Sequence, residues 1–259
     1  MKKSKIAVLV AMVVVLAFSL AACGGSDKSS SDKTVYKVAT EPTFPPFDTT
    51  DEDQNIVGLD MDLIKAIGED QGFDVEFENL SFDGLIPALK AGNIDIVAAG
   101  MNKDDEDRQK EVDFSDSYYE SKLFVAVTED NTTIKSVEDL TPDMKVAAQT
   151  GTTGASKVQE LKDAGKIKEA VILDGLDTCM MKLINGDVSA VINDKPVTEA
   201  YMKKQPDKIK MVGEALNAEN YGFAVQKGNT ELVEKINKGL KNIKENGTYD
   251  KLVDEWFNK

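Results

Sequence analysis

From Val35 onward the chain alternates short apolar runs of strand length with segments whose apolar residues recur at helical spacing. Residues 35–40 alternate and then turn apolar, as a strand entering a core does. Three prolines at 42, 45 and 46 fix an extended loop behind it, and residues 51–55 form a charged hairpin tip. A helix opens at Gly58, with Leu59, Leu63, Ile64 and Ile67 on one face and acids in its first turn, where the helix dipole favours them. Residues 73–80 alternate as a second strand, Phe82 begins a helix that stops near Gly92, and Ile94, Ile96 and Val97 form a short strand. In the second half the strands are 123–127, 145–148, 170–173, 188–192 and 209–212, with helices at about 155–164, 177–184 and 196–204. The pattern restarts near Ser136 as if a new domain began. Residues 221–225 form a further strand. Leu232, Ile236, Leu240 and Ile243 share a helical face, and after a break at Gly247 a short helix carries Leu252 and Trp256. Such alternation predicts βαβ units and mainly parallel sheets.

Residues 1–22 stand outside this pattern. Lys2, Lys3 and Lys5 precede an apolar run at 6–20 that is too short and wrongly flanked for a membrane span, so the segment reads as a signal peptide. Leu20-Ala21-Ala22-Cys23 resembles a bacterial lipobox, which implies a lipid on Cys23 and cleavage before it; the alternative is an ordinary signal with an incidental cysteine. Residues 23–33 then form a flexible polar tether. Cys179, the other of two cysteines, is left without a partner, and its apolar neighbours make it a small buried hydrophobe. Beyond residue 22 there are 28 basic and 46 acidic residues, net −18. That charge argues against nucleic-acid binding, which needs a cationic footprint.

One residue stands apart by its chemistry. Arg108 is the only arginine among 31 basic residues; the rest are lysine. A guanidinium grips a carboxylate with two parallel hydrogen bonds, which an ammonium cannot do. It follows a short strand and the small residues Ala98-Ala99-Gly100, which let backbone approach a ligand. A chance surface arginine is the competing interpretation. Glu41 and Asp194 also stand at the carboxyl ends of strands, where open α/β sheets bind ligands. Phe44 and Phe82 lie off any periodic apolar face, with core packing as the alternative. The loop Gln149–Gly154 is rich in glycine and hydroxyls; it lacks the Gly-Lys-Ser/Thr ending of a nucleotide loop and suits a carboxylate. A cationic fork, two acids, two aromatic rings and a glycine-rich turn together match a zwitterion. With no histidine in the chain, no catalytic triad can be assembled.

The segments VATEPTFPPF, GLDMDL, SFDGLIPAL, VDFSDSYY, QTGTTG, INDKP and YGFAVQKG occur in that order. The chain thereby resembles the extracellular amino-acid-binding proteins of ABC importers, solute-binding family 3, over nearly all of residues 34–259. The resemblance implies a two-lobed α/β fold of the periplasmic-binding-protein type II: lobe 1 from 34–117 and 222–259, lobe 2 from 123–216, hinge crossings at 118–122 and 217–221. It implies that Arg108 clamps the ligand α-carboxylate, helped by backbone N–H groups near Asn102 and Thr153. Asp194 takes the α-ammonium with the backbone around Gly100, Phe44 and Phe82 sandwich the side chain, and Glu41 reads its distal end. Gln149, like Glu41, stands at a specificity position where relatives differ. The segment between Gly100 and Arg108 is one residue longer than in common relatives, and Asn102 replaces a frequent hydroxyl residue. The implied protein is no enzyme, uses no cofactor or metal, and is a monomer. It binds arginine, lysine or glutamine for an ABC permease and touches the membrane only through its lipid. A sensor feeding a membrane receptor, or a dehydratase-like enzyme on the same fold, are the alternatives.

Overall fold

The computed structural model describes residues 33–258. The signal segment 1–22, Cys23 and nearly all of the tether lie outside the described residues. No described helix is long and apolar enough to cross a membrane.

In chain order the elements are β1 (Thr34–Thr40), β2 (Thr49–Thr50), β3 (Ile56–Val57), α1 (Leu59–Gln71), β4 (Phe73–Asn79), α2 (Phe82–Lys90), β5 (Ile96–Val97), α3 (Glu106–Glu111), β6 (Val112–Phe114) and β7 (Tyr119–Thr128). There follow β8 (Lys145–Gln149), α4 (Thr153–Asp163), β9 (Glu169–Leu173), α5 (Leu176–Ile184), β10 (Ala190–Asp194), α6 (Lys195–Lys204), β11 (Ile209–Tyr221), β12 (Ala224–Gln226), α7 (Thr230–Glu245) and α8 (Thr248–Phe257). One five-stranded sheet runs β4-β1-β5-β12-β6 and the other β11-β7-β10-β8-β9. The chain therefore passes from the first sheet to the second after β6 and returns after β11.

Local chemistry explains the main elements. Leu59, Leu63, Ile64 and Ile67 of α1 are wholly buried, and the helix ends at Gly72, whose φ of 78° lets its N–H reach the Gly68 carbonyl. The buried stripe of α7 packs on α1, closely enough that a Cβ on Gly239 would fall 2.7 Å from Ile67 Cγ2. A second apolar cluster, from Leu123 to Ile192, fills the other lobe.

Three expectations need correcting. The sheets are mixed: β1 pairs in parallel with β4 and β5, and β8 with β9 and β10, while β7, β11 and β12 enter antiparallel. The antiparallel strands adjoin the crossings, where the chain arrives in the second sheet or returns to the first. The strand read at 221–225 is broken, because Tyr221 ends β11 in one sheet whereas Ala224 starts β12 in the other. The pattern that restarts near Ser136 opens no new domain, since β7 and β8 on either side of it share one sheet. Both long strands run beyond their apolar stretches, 123–127 and 209–212, to include residues 119–122 and 217–221. β11 pairs with β7 from Ile209 opposite Thr128 to Tyr221 opposite Tyr119, with a bulge between Val212 and Asn217. That irregularity disrupts the alternation a reader would follow.

Candidate functional site

The expected site residues fall along the junction of the two lobes, which several of them bridge. Arg108 sits on α3, a six-residue helix absent from the sequence reading. Asp105 caps it, accepting from the backbone N–H groups of Asp107 and Arg108. Without an apolar face such a helix leaves no periodic signal. Arg108 is 9% exposed. Its Nη1 donates to the Asn102 carbonyl at 3.2 Å, and its Nη2 crosses to the other lobe and donates to the Gly151 carbonyl at 2.9 Å. Phe82, half-buried at the start of α2, lies under the guanidinium with its ring centre 5.4 Å from Cζ. Burial lowers the arginine's pKa, while Asp105, Glu219 and Asp194 support its charge.

Asn102 is buried against the end of β11. It forms an isolated antiparallel bridge with Tyr221, flanked by bonds from Gly222 N–H to the Met101 carbonyl and from Lys103 N–H to the Asn220 carbonyl. In such a non-hydrogen-bonded pair the Asn102 N–H and C=O turn away from the partner strand, and the C=O accepts from Arg108. Its side-chain oxygen accepts from the Asp104 and Asn220 N–H groups. Opposite, Gly151 has φ 76°, and a Cβ there would sit 3.0 Å from Asp83 Cβ of the other lobe, so the close approach needs glycine. Thr152 caps α4 through the Ala155 N–H, which leaves the Thr153 N–H among those without a helical partner.

Glu41 and Gln149 meet directly: Gln149 Nε2 donates to Glu41 Oε2 at 2.6 Å and to the Asp174 carbonyl at 3.0 Å. Burial raises the Glu41 pKa, opposed by hydrogen bonds from Thr43 and Gln149. Two further bonds join the lobes here, Leu176 N–H to Thr43 Oγ1 and Tyr201 Oη to the Thr43 carbonyl. Phe44 is 8% exposed and packs against Gly100 and Tyr221; a Cβ on Gly100 (φ 52°) would fall 2.7 Å from its ring. The two phenylalanines are thus held apart in role, Phe44 lining Gly100 and Phe82 supporting Arg108.

Asp194, at the end of β10, accepts from Ser121 Oγ at 2.9 Å and from Tyr221 Oη. Glu219, which the sequence reading did not single out, is 2% exposed and accepts from Asn217 Nδ2 at 3.1 Å. Burial is the main reason both carboxyls have raised pKa values; each also feels the other. Glu219 lies in the part of β11 beyond the bulge, where no apolar run marks a strand and only the resemblance implies a hinge crossing. Only the alternation of Asn217, Glu219 and Tyr221 on one face could have revealed it.

In the sequence Asp60 is an acid of a helix's first turn, where the dipole favours it, and nothing there marks it for burial. It is wholly buried, and its Oδ2 accepts from the Gly100 N–H at 2.8 Å and from Tyr118 Oη at 2.7 Å. It therefore ties the loop beside the site to the start of the first crossing. Burial pushes its pKa up to about 7. The unfolded carboxyl titrates near 4, so between about pH 4 and 7 the folded chain holds a proton that the unfolded chain has lost. This contribution to stability consequently declines as pH rises through that window. The stability difference between wild type and Asp60→Asn should fall with pH by up to roughly 1.4 kcal/mol per unit. Urea midpoints of both proteins from pH 4 to 7 check this, and a difference independent of pH contradicts it.

The geometry can be set beside known proteins. Residues 36–259 match the bacterial extracellular solute-binding proteins, family 3. This chain belongs to that family. A "Probable histidine-binding protein" of Neisseria gonorrhoeae is 34% identical over 94% of this chain and 92% of its own length. A "Putative ABC transporter arginine-binding protein 2" of Escherichia coli (strain K12) is 34% identical over 100% of both chains. An ancestral arginine-binding protein has been solved with arginine (TM-score 0.82, 44% identity, covering 87% of this chain and 99% of that one) and with glutamine (0.80, 45%, 88% and 99%). The fold is accordingly the two-lobed α/β architecture of periplasmic binding proteins. The family and these relatives are binding proteins, and membership in an extracellular family implies a location outside the cytoplasm.

Proposed function

We propose that this chain captures a polar or cationic L-amino acid between its lobes, arginine before lysine or glutamine, and delivers it to the membrane subunits of an ABC permease. It acts as a monomer held at the outer face of the cytoplasmic membrane by a lipid on Cys23. One observation carries the reading: the sole arginine is buried at the junction of the lobes, with two buried acids, Asp194 and Glu219, close enough to support its charge. A fork for a carboxylate and acids for an ammonium are thus assembled from different lobes. Neither lobe alone neutralises both ends of a zwitterion, so ligand stabilises the closed arrangement. Glu41 at the far side, hydrogen-bonded to Gln149, offers an acceptor to a guanidinium, ammonium or amide. The relatives named for arginine and the complexes of an ancestral arginine-binding protein with arginine and glutamine support including both ligands. Cys179 has no part in this chemistry, since burial pushes its thiol up to about 12.

A thermal-shift panel of the twenty amino acids tests the reading. At about 100-fold excess over Kd, ligand stabilises by roughly 2.7 kcal/mol, which for a chain of this size moves the melting midpoint by about 5–10 °C. The expected result is a shift of that size for arginine. No shift above about 1 °C with any amino acid would remove the hypothesis.

A further inference from the structure

Asp194 and Glu219 come from β10 and β11, the two strands that flank β7 in one sheet. Asp194 of β10 lies opposite Leu123 of β7, and two residues along β7 Ser121 lies opposite Glu219 of β11. Ser121 Oγ donates to Asp194, so the three side chains converge on one face. The carboxyls are 5% and 2% exposed, and after burial the Glu219 charge is the largest influence raising the Asp194 pKa. Their surroundings supply neutral donors: Ser121 from β7, Tyr221 and Asn217 from β11, Thr153 from α4. The cation facing them is Arg108, which belongs to the other lobe and is itself accompanied by Asp105.

We propose that Asp194 and Glu219 hold one proton between them in the empty site, and that the α-ammonium of an incoming amino acid replaces it, so that capture releases one proton to solvent. The inference rests on the reading that this cleft takes an amino acid. Two carboxylates on one buried face, each within the other's field, cannot both ionise without a cation between or beside them. A shared proton satisfies them, one acid donating to the other. The pair lies within a single sheet, so separation of the lobes leaves it intact but withdraws Arg108. On closure the guanidinium returns and the ammonium arrives with three donors of its own. Both acids then accept N–H bonds, and the proton passes to water or buffer while the ligand keeps all of its own. Burial raises the pKa of both acids, which favours the protonated form of each. Because a proton leaves on binding, affinity rises with pH while the empty pair is protonated.

Isothermal titration of L-arginine, L-lysine and L-glutamine at pH 7, in phosphate and in Tris, reads the proton directly. None of these side chains titrates near that pH. The expected enthalpies differ between buffers by the amount for about one proton per ligand bound, and Glu219→Gln reduces the count to near zero, since its amide donates to Asp194 permanently. Equal enthalpies in both buffers overturn the proposal, as does a full proton still released by Glu219→Gln. Should that variant not fold, wild type decides alone: affinity tightens about tenfold per pH unit between roughly pH 6 and 7, and a flat profile overturns it. Binding of none of the three amino acids overturns the ligand reading itself, and this inference with it. Binding without proton release overturns only the inference.

Discussion

Replacing Arg108 by lysine is expected to weaken ligand binding by roughly a hundredfold, about 3 kcal/mol, while moving the melting midpoint of the empty protein by no more than a few degrees. The charge survives the substitution; the planar fork does not. In the structure Nη1 and Nη2 already point in divergent directions, to the Asn102 carbonyl in one lobe and the Gly151 carbonyl in the other. A single ammonium cannot hold both of these and present two parallel donors to a carboxylate. It also loses the flat face that rests on Phe82. Folding should tolerate the change, because α3 is short and is capped by Asp105 through backbone groups that the substitution leaves in place. Titration calorimetry with the amino acid that gives the largest thermal shift checks the affinity. A loss smaller than about threefold would show that the arginine only bridges the lobes.

That arginine could be picked out from sequence because composition isolated it, and Glu41 and Asp194 because strand ends are where open sheets bind ligands. The strands of the two cores were legible for a similar reason: buried on both faces, they read as apolar runs. What escaped detection depended on long-range pairing. Glu219 lies in a strand whose alternation a bulge interrupts, and its neighbour Asp194 is 25 residues earlier on another strand. Asp60 carried a sound local explanation, acid in a helix's first turn, that gave no hint of Gly100 and Tyr118 closing over it. The break between Tyr221 and Ala224 was invisible because both flanks are apolar and β-prone; only membership of different sheets separates them. The same limit applies to Phe44 and Phe82, alike in sequence context. One is buried against the Gly100 backbone, and the other lies beneath a guanidinium.

The largest effect on stability is expected at a position far from any ligand group. Gly58 adopts φ 148°, and a Cβ on it would lie 2.0 Å from the Phe47 carbonyl oxygen and 2.8 Å from Asp48 Cα. Both obstacles are backbone, so rotation of a side chain cannot relieve them. The Phe47 carbonyl also accepts the Asp60 N–H at 3.0 Å, and the Phe47 ring is wholly buried, 4.8 Å from Tyr119, 5.0 Å from Tyr221 and 5.6 Å from Phe257. Making room for one methyl therefore shifts a ring packed on both crossing strands and displaces Asp60 from beneath Gly100. Gly58→Ala should cost about 3–5 kcal/mol and lower the melting midpoint by about 10 °C. Gly72→Ala is the matched comparison: its φ is 78°, but nothing lies within 4 Å of the added carbon. It should cost only the left-handed backbone penalty of about 1–2 kcal/mol. Thermal denaturation of the two variants separates steric collision from backbone strain, and equal losses would mean that the Phe47–Gly58 contact yields freely and that the aromatic cluster is not what holds the crossing strands in place.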